Sequence, residues 1–159
     1  LIAHSPGPGP DAGTPGKGLV ACHCIIQFRR VSMTNTLSRW HAYMESGDPQ
    51  ALLDLLDESV VFESPVVHTP QRGKEITFKY LMAAAKVLGG SGFRYVGEWN
   101  GDNSAILEFE NEIDGIKING IDMIWWNEEG RITRFKVMVR PLKAINLLHQ
   151  LMGARLAQG

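Results

Sequence analysis

Between Phe93 and Arg140 the chain reads as four consecutive runs of alternating apolar and polar residues, 93–100, 103–113, 116–127 and 131–140. Only short turns containing Gly101, Gly115 and Gly130 separate them. A period of two marks a strand with one buried face, and connections this short join strands as antiparallel neighbours. A four-strand meander is therefore fixed before anything else is considered, and the remaining chain has to cover one of its faces. In 116–127 the two faces are explicit. Ile118, Gly120, Asp122, Ile124 and Trp126 point one way; Ile121, Met123 and Trp125 point the other.

The covering elements come mostly from the preceding half. Residues 35–46 carry Leu37, Trp40 and Met44, with Tyr43 beside them, at helical spacing, and Gly47 supplies the stop. Asp48-Pro49 places a capping side chain and a first-turn proline in order for a second short helix bearing Leu52, Leu53 and Leu56. A strand is expected at 60–64, ending at Pro65, then a loop to Gly73. The next helix, 74–88, is expected to bury Ile76, Tyr80, Ala83, Ala84 and Val87 before Gly89-Gly90 ends it. Pro141 opens a last helix with Leu142, Ile145, Leu148 and Met152 along one face. Helices ahead of and behind a meander define an α+β domain.

Residues 5–18, SPGPGPDAGTPGKG, cannot bury enough apolar surface to offset chain entropy. We therefore expect residues 1–32 to be a disordered N-terminal extension and residues 33–159 to be the domain, with Met33 as its natural start. Both cysteines, Cys22 and Cys24, fall in the extension, and Cys22-His23-Cys24 is too short a ligand set for zinc. A domain this size needs no disulfides, which fits a reducing cytoplasm. The 33–159 segment holds 13 basic and 16 acidic side chains without clustered cations, so no nucleic-acid partner is expected. No run is long and apolar enough for a membrane helix, and no His/Cys/Asp/Glu group has metal-ligand spacing.

The segments RWHAYMESGDPQALLDLLDESVVFESP and NGIDMIWWNEEGRITRFKVMVRPL, with the GKE start of the third helix, resemble the nuclear transport factor 2-like superfamily, most closely its SnoaL-like members. The resemblance implies a cone: a curved antiparallel sheet wrapped by helices around an apolar pocket. Ketosteroid isomerases share the superfamily, and their pattern carries over in part. Their first-helix tyrosine falls on Trp40 and the catalytic aspartate after the first strand falls on Ser64. Their second pocket carboxyl, held protonated to support an oxyanion, falls on Asp122. Serine cannot shuttle a proton as a carboxylate does, so the usual isomerase mechanism is not expected. The arginine between two aspartates of the epoxide hydrolases is not matched by Glu108, Glu110, Glu112, Lys136 and Met138.

Asp122 is the leading candidate, because an acid on an otherwise apolar strand face has its pKa raised by burial. His68, in the loop VVHTPQRG, is placed near the pocket mouth as a possible replacement base. His41 could also reach the cavity, and His149 is read as a surface residue. Trp40, Tyr43, Phe62, Ser64, Tyr80, Trp126, Phe135, Val137 and Val139 are expected to line the pocket. Glu108, Glu110 and Glu112 are read as a solvated row. The expected ligand is an apolar or oxygenated small molecule, handled without a cofactor through proton transfers such as isomerisation, cyclisation or hydration. The alternative is a non-catalytic binding or assembly module. Ile121, Met123 and Trp125 are expected to form the interface of a homodimer, unless the last helix covers them.

Overall fold

The structure is a computed structural model, and it describes residues 36–90 and 92–157. The expectation of a disordered extension at 1–32 lies outside the described residues. Helix α1 covers 36–46, burying Leu37, Trp40 and Tyr43. It ends where Gly47, at φ +65°, donates its N–H to the Tyr43 carbonyl (2.8 Å). Only a residue without Cβ takes that left-handed position cheaply. Asp48 then caps α2 (Pro49–Leu55), its carboxylate accepting from the Gln50 N–H at 3.0 Å.

Strand β1 (Leu56–Glu63) starts four residues earlier than the sequence suggested. Leu56, expected on a helix face, is instead its first residue and pairs with Ile132. A bulge explains the misreading. The Asp57 carboxylate accepts from both the N–H and the hydroxyl of Ser59, interrupting the alternation that would have marked the strand. A two-residue strand β2 (Gln71–Arg72) and helix α3 (Lys74–Leu88) follow. The meander is β3 (Arg94–Asn100), β4 (Ser104–Ile113), β5 (Ile116–Trp126) and β6 (Ile132–Arg140), and α4 (Leu142–Ala157) closes the fold.

The six strands form one curved, unclosed sheet in the order β2-β1-β6-β5-β4-β3. All ladders are antiparallel except β1–β6, which is parallel. The expectation of a wholly antiparallel sheet is corrected there. No hairpin joins β1 to β6, so no short turn dictates their relative direction.

Two helix faces are also corrected. The buried positions of α3 are Thr77, Leu81 and Ala83, with Ile76, Tyr80, Ala84 and Val87 half-buried. That helix carries apolar residues on nearly all sides, so periodicity does not single out one face. In α4 the buried positions are Ala144, Leu148 and Met152, while Leu142 is 71% exposed because it lies in the first turn, ahead of the packed stripe. The inner sheet face presents Leu107, Phe109, Ile118, Ile124, Trp126 and Phe135 to the helices. Helix α4 contacts α3 and the β5–β6 strands and supplies Leu148 and Met152 to the interior, so it lies on this inner side. The outer-face residues Ile121, Met123 and Trp125 are half-buried beside exposed Trp99 and Met138. No described helix is long and apolar enough to cross a membrane.

Candidate active site

The cone encloses an apolar cavity of about 80 Å³. That is several times the roughly 10–15 Å³ a single water requires, so it is larger than an ordinary packing defect. Its walls come from α1 (Trp40, Tyr43, Met44), β1 and the following turn (Phe62, Ser64, Pro65, Val66), and α3 (Leu81, Ala84, Ala85, Leu88). The remainder comes from Phe93 just ahead of β3, the sheet (Phe109, Asp122, Phe135, Val137, Val139) and α4 (Leu148, Met152). Asp122 is the only carboxylate among these residues, and no lysine, arginine or histidine accompanies it.

The register of β5 sets Asp122 inward, between Leu107 of β4 and Val137 of β6. Its Oδ2 accepts a hydrogen bond from the Tyr95 hydroxyl at 2.8 Å. Tyr95, on β3, in turn accepts from the Trp40 indole N–H at 3.0 Å. The chain of donors therefore crosses from helix α1 through strand β3 to strand β5. Phe93 packs edge-on against the Tyr95 ring (5.2 Å between centroids), as does His41 from the solvent side (5.6 Å). Those contacts fix the phenol in place.

Burial raises the Asp122 pKa to about 7, and the Tyr95 hydrogen bond opposes that rise without cancelling it. Burial, then the nearby Asp122 charge, pushes Tyr95 well above its ordinary value. Burial also raises Tyr43 to about 12, its hydroxyl donating to the Met82 sulfur at 3.6 Å. The site thus holds a carboxyl poised between neutral and ionised near neutral pH, with two phenols that stay protonated.

Of the residues singled out from sequence, Asp122, Trp40, Tyr43, Phe62, Ser64, Phe135, Val137 and Val139 are brought together on this cavity. Tyr80, Trp126 and His68 are not. Tyr80 packs on Phe62 (5.5 Å) without lining the cavity. Trp126 points inward and packs within the same core but does not line the cavity. His68 is exposed, because the turn after β1 directs Val66 inward and carries the following residues away toward β2. His41, on the outer flank of Tyr95, bonds Glu98 at 2.9 Å instead of reaching the cavity. The Ser64 hydroxyl accepts from the Val66 N–H (3.2 Å), a local turn bond. Among the described residues no cluster of His, Cys, Asp and Glu could hold a metal ion.

Sequence reasoning missed Tyr95. The signal was present: Phe93 and Tyr95 share a face in the alternation that opens β3, and Tyr95 pairs with buried Phe109. What the sequence does not show is that a phenol from the sheet's edge strand reaches across β4 to a carboxylate on β5.

A curved sheet closed by helices over one apolar cavity places the chain in the nuclear transport factor 2-like, cystatin-like class of α+β proteins. A model of the SnoaL-like domain matches residues 37–135, and the chain belongs to that family. Among solved structures it is similar to a steroid delta-isomerase from Pseudomonas aeruginosa, at 32% identity and TM-score 0.74, over 80% of this chain and 93% of that one. It is also similar to an uncharacterised protein with a cystatin-like fold from Silicibacter pomeroyi DSS-3, at 30% identity and TM-score 0.71, over 78% of this chain and 86% of that one. A putative isomerase from Bacillus subtilis, 23% identical with TM-score 0.56, covers 79% of this chain and 95% of its own and shares the fold. No curated protein matches.

Proposed function

We propose that this chain binds an apolar small molecule bearing an oxygen function, and that Asp122 is the pocket acid for a proton-transfer reaction of the isomerase, cyclase or hydratase type. The observation that carries the reading is a single carboxyl, its pKa raised to about 7, facing a cavity otherwise walled by apolar and aromatic side chains. A group with that pKa exchanges protons at neutral pH with little thermodynamic penalty in either direction. In its neutral form it donates to a carbonyl or developing oxyanion, and in its ionised form it accepts a proton from carbon or water. Double-bond isomerisation moves only a proton, cyclisation forms its ring bond within the substrate and hydration takes up one water, so all three ask the protein for acid–base help, and a cytoplasmic location belongs to the same reading. The likeness to a steroid delta-isomerase supports the class of chemistry.

One observation favours a second reading, that of a binding module. Ser64 stands where the isomerase pattern has its base, and among the described residues no second carboxylate lines the cavity. The two readings separate in one experiment. A panel of cyclic enones and β,γ-unsaturated ketones is incubated with the protein in deuterated water, and deuterium uptake beside the carbonyl is followed by NMR. Catalysed uptake that Asp122→Asn suppresses, while ketone binding persists, supports the acid. Binding without uptake in the wild type leaves the binding module.

A further inference from the structure

The hydrogen bonds behind Asp122 run in one direction only. An indole N–H is a donor and never an acceptor, so Trp40 donates to the Tyr95 oxygen at 3.0 Å. The Tyr95 hydrogen then has one acceptor within reach among the described residues, Asp122 Oδ2 at 2.8 Å. Reversing the Tyr95–Asp122 bond would strand the Tyr95 hydrogen, buried and unpaired, which is costly. Oδ2 is thus committed as an acceptor. Oδ1 has no protein partner among the described residues, yet it is not sealed: among those residues the only buried side-chain atom left unpaired is the Thr77 hydroxyl.

From this we infer that Tyr95, backed by Trp40, is a positioning residue that leaves the Asp122 proton on the cavity-facing Oδ1, so that the pocket selects ligands presenting a hydrogen-bond acceptor such as a ketone carbonyl. The inference rests on the reading of Asp122 as the pocket acid and adds what that reading lacks, the residue that fixes which Asp122 oxygen carries the proton. The relay also tunes the acid. The Tyr95 bond favours the ionised form and so holds the Asp122 pKa below the level that burial alone would set. The Trp40 N–H polarises the Tyr95 hydroxyl and makes it a stronger donor.

Few other groups can imitate this effect. Tyr95 approaches Asp122 from β3, with Tyr43 of α1 near Tyr95. The flanking residues on β4 and β6 are Leu107 and Val137, and α3 and α4 face the cavity with apolar side chains. His41 and Glu98 pair on the far, solvent side of Tyr95.

The test uses two probes of matched shape, 2-acetylnaphthalene with a carbonyl acceptor and 2-ethylnaphthalene without one, titrated from about pH 5 to about pH 9, a range spanning the Asp122 transition. In the wild type the ketone binds about tenfold tighter at the acidic end, one well-made hydrogen bond's worth. That preference fades as Asp122 ionises. In Tyr95→Phe the midpoint of the fade moves up by about one pH unit, because a bond favouring the carboxylate is gone. Trp40→Phe moves it the same way by less, and carries the test if Tyr95→Phe does not fold. The hydrocarbon also binds less tightly once Asp122 ionises, because it displaces solvent from the carboxylate, so the preference is read at each pH as the ratio of the two affinities. A purely structural Tyr95 would weaken both probes equally and leave the midpoint in place, which overturns the inference, as does a downward shift. A wild type with no ketone preference, or one binding neither probe, would instead sink the reading of Asp122 as the pocket acid.

Discussion

Gly120 lies directly opposite Phe109 in the β4–β5 ladder, and the Phe109 ring occupies the space where a side chain at 120 would begin. A Cβ there would strike the ring and come within 2.7 Å of the Met138 carbonyl. The glycine is needed for close approach, since its backbone is ordinary extended strand. Phe109 also lines the cavity, so the missing side chain at 120 helps to shape the binding space. Gly120→Ala is expected to cost about 1–3 kcal/mol as an overpacked site and to push Phe109 toward the cavity. Urea denaturation measures the first effect. Weaker binding of 2-acetylnaphthalene, beyond what the stability loss explains, measures the second. A neutral Gly120→Ala would mean that the ring moves aside freely.

The pH dependence of stability carries a sign that Asp122 sets. Its folded-state pKa is raised to about 7 from the ordinary 3.8. Below the ordinary value both states hold the proton and no difference arises. As pH climbs from there to about 7 the unfolded chain releases its proton first, so folding stability falls. Above about 7 both states are ionised and the loss levels off. Asp122→Asn keeps the shape and removes the titration, so its stability should exceed wild type by a growing margin across that window, reaching a few kcal/mol. Parallel pH profiles for the two proteins would show Asp122 to be an ordinary ionised carboxylate.

Sequence alone carried the fold a long way, because strand alternation from Phe93 to Arg140 and capping residues such as Asp48 are local signals. It failed where the answer was not local. The parallel β1–β6 ladder joins segments with no turn between them; the start of β1 was a local miss, where the Asp57–Ser59 bulge breaks the alternation. Asp122 was legible as an acid among apolar neighbours on one strand face. Tyr95 was not, since its role depends on reaching two strands across the sheet. His68 failed for the opposite reason: a loop position says nothing about which way the chain turns.

Asn111 joins the cavity's far wall to the sheet. Its side-chain amide donates to the Leu88 carbonyl at the end of α3 (2.8 Å), and its oxygen accepts from the Glu112 N–H (2.8 Å). Only 7% of the residue is exposed, so the lost partners would not be replaced fully by water. Asn111→Leu should cost about 1–3 kcal/mol and loosen the last turn of α3, where Leu88 lines the cavity. Amide hydrogen exchange reads this directly. Faster exchange confined to the C-terminal turn of α3 is expected; unchanged exchange there would make Asn111 a bystander.

On the outer sheet face we propose that a second copy of the chain docks. Ile121 and Met123 form the centre, with Trp99 (56% exposed) and Met138 (51%) beside them, and α4 lies on the other side of the sheet. The charges around this centre favour one geometry. On β4 the outward residues include Glu108 and Glu110, whereas β6 presents Arg134 and Lys136, both paired with Glu63 of β1, and Arg140. A two-fold axis parallel to β5 lays β4 of each copy over β6 of the other. Glu110 then opposes Arg140, since both are level with Asn119. An axis across the strands, centred on the same patch, stacks β6 on β6 and sets Arg140 against Arg134 instead of an acid, so it is disfavoured. Arg140 forms no ion pair among the described residues, whereas Glu110 is bonded by Arg94 at 2.7 Å in an exposed pair worth little. Ile121→Lys should give a monomer in sedimentation equilibrium, by placing a charge at the centre of an apolar contact. Arg140→Glu should weaken association about tenfold, and combining it with Glu110→Lys should restore most of the loss. A wild-type chain that sediments as a monomer at micromolar concentration removes the second copy, and an Arg140→Glu defect that Glu110→Lys deepens removes this axis.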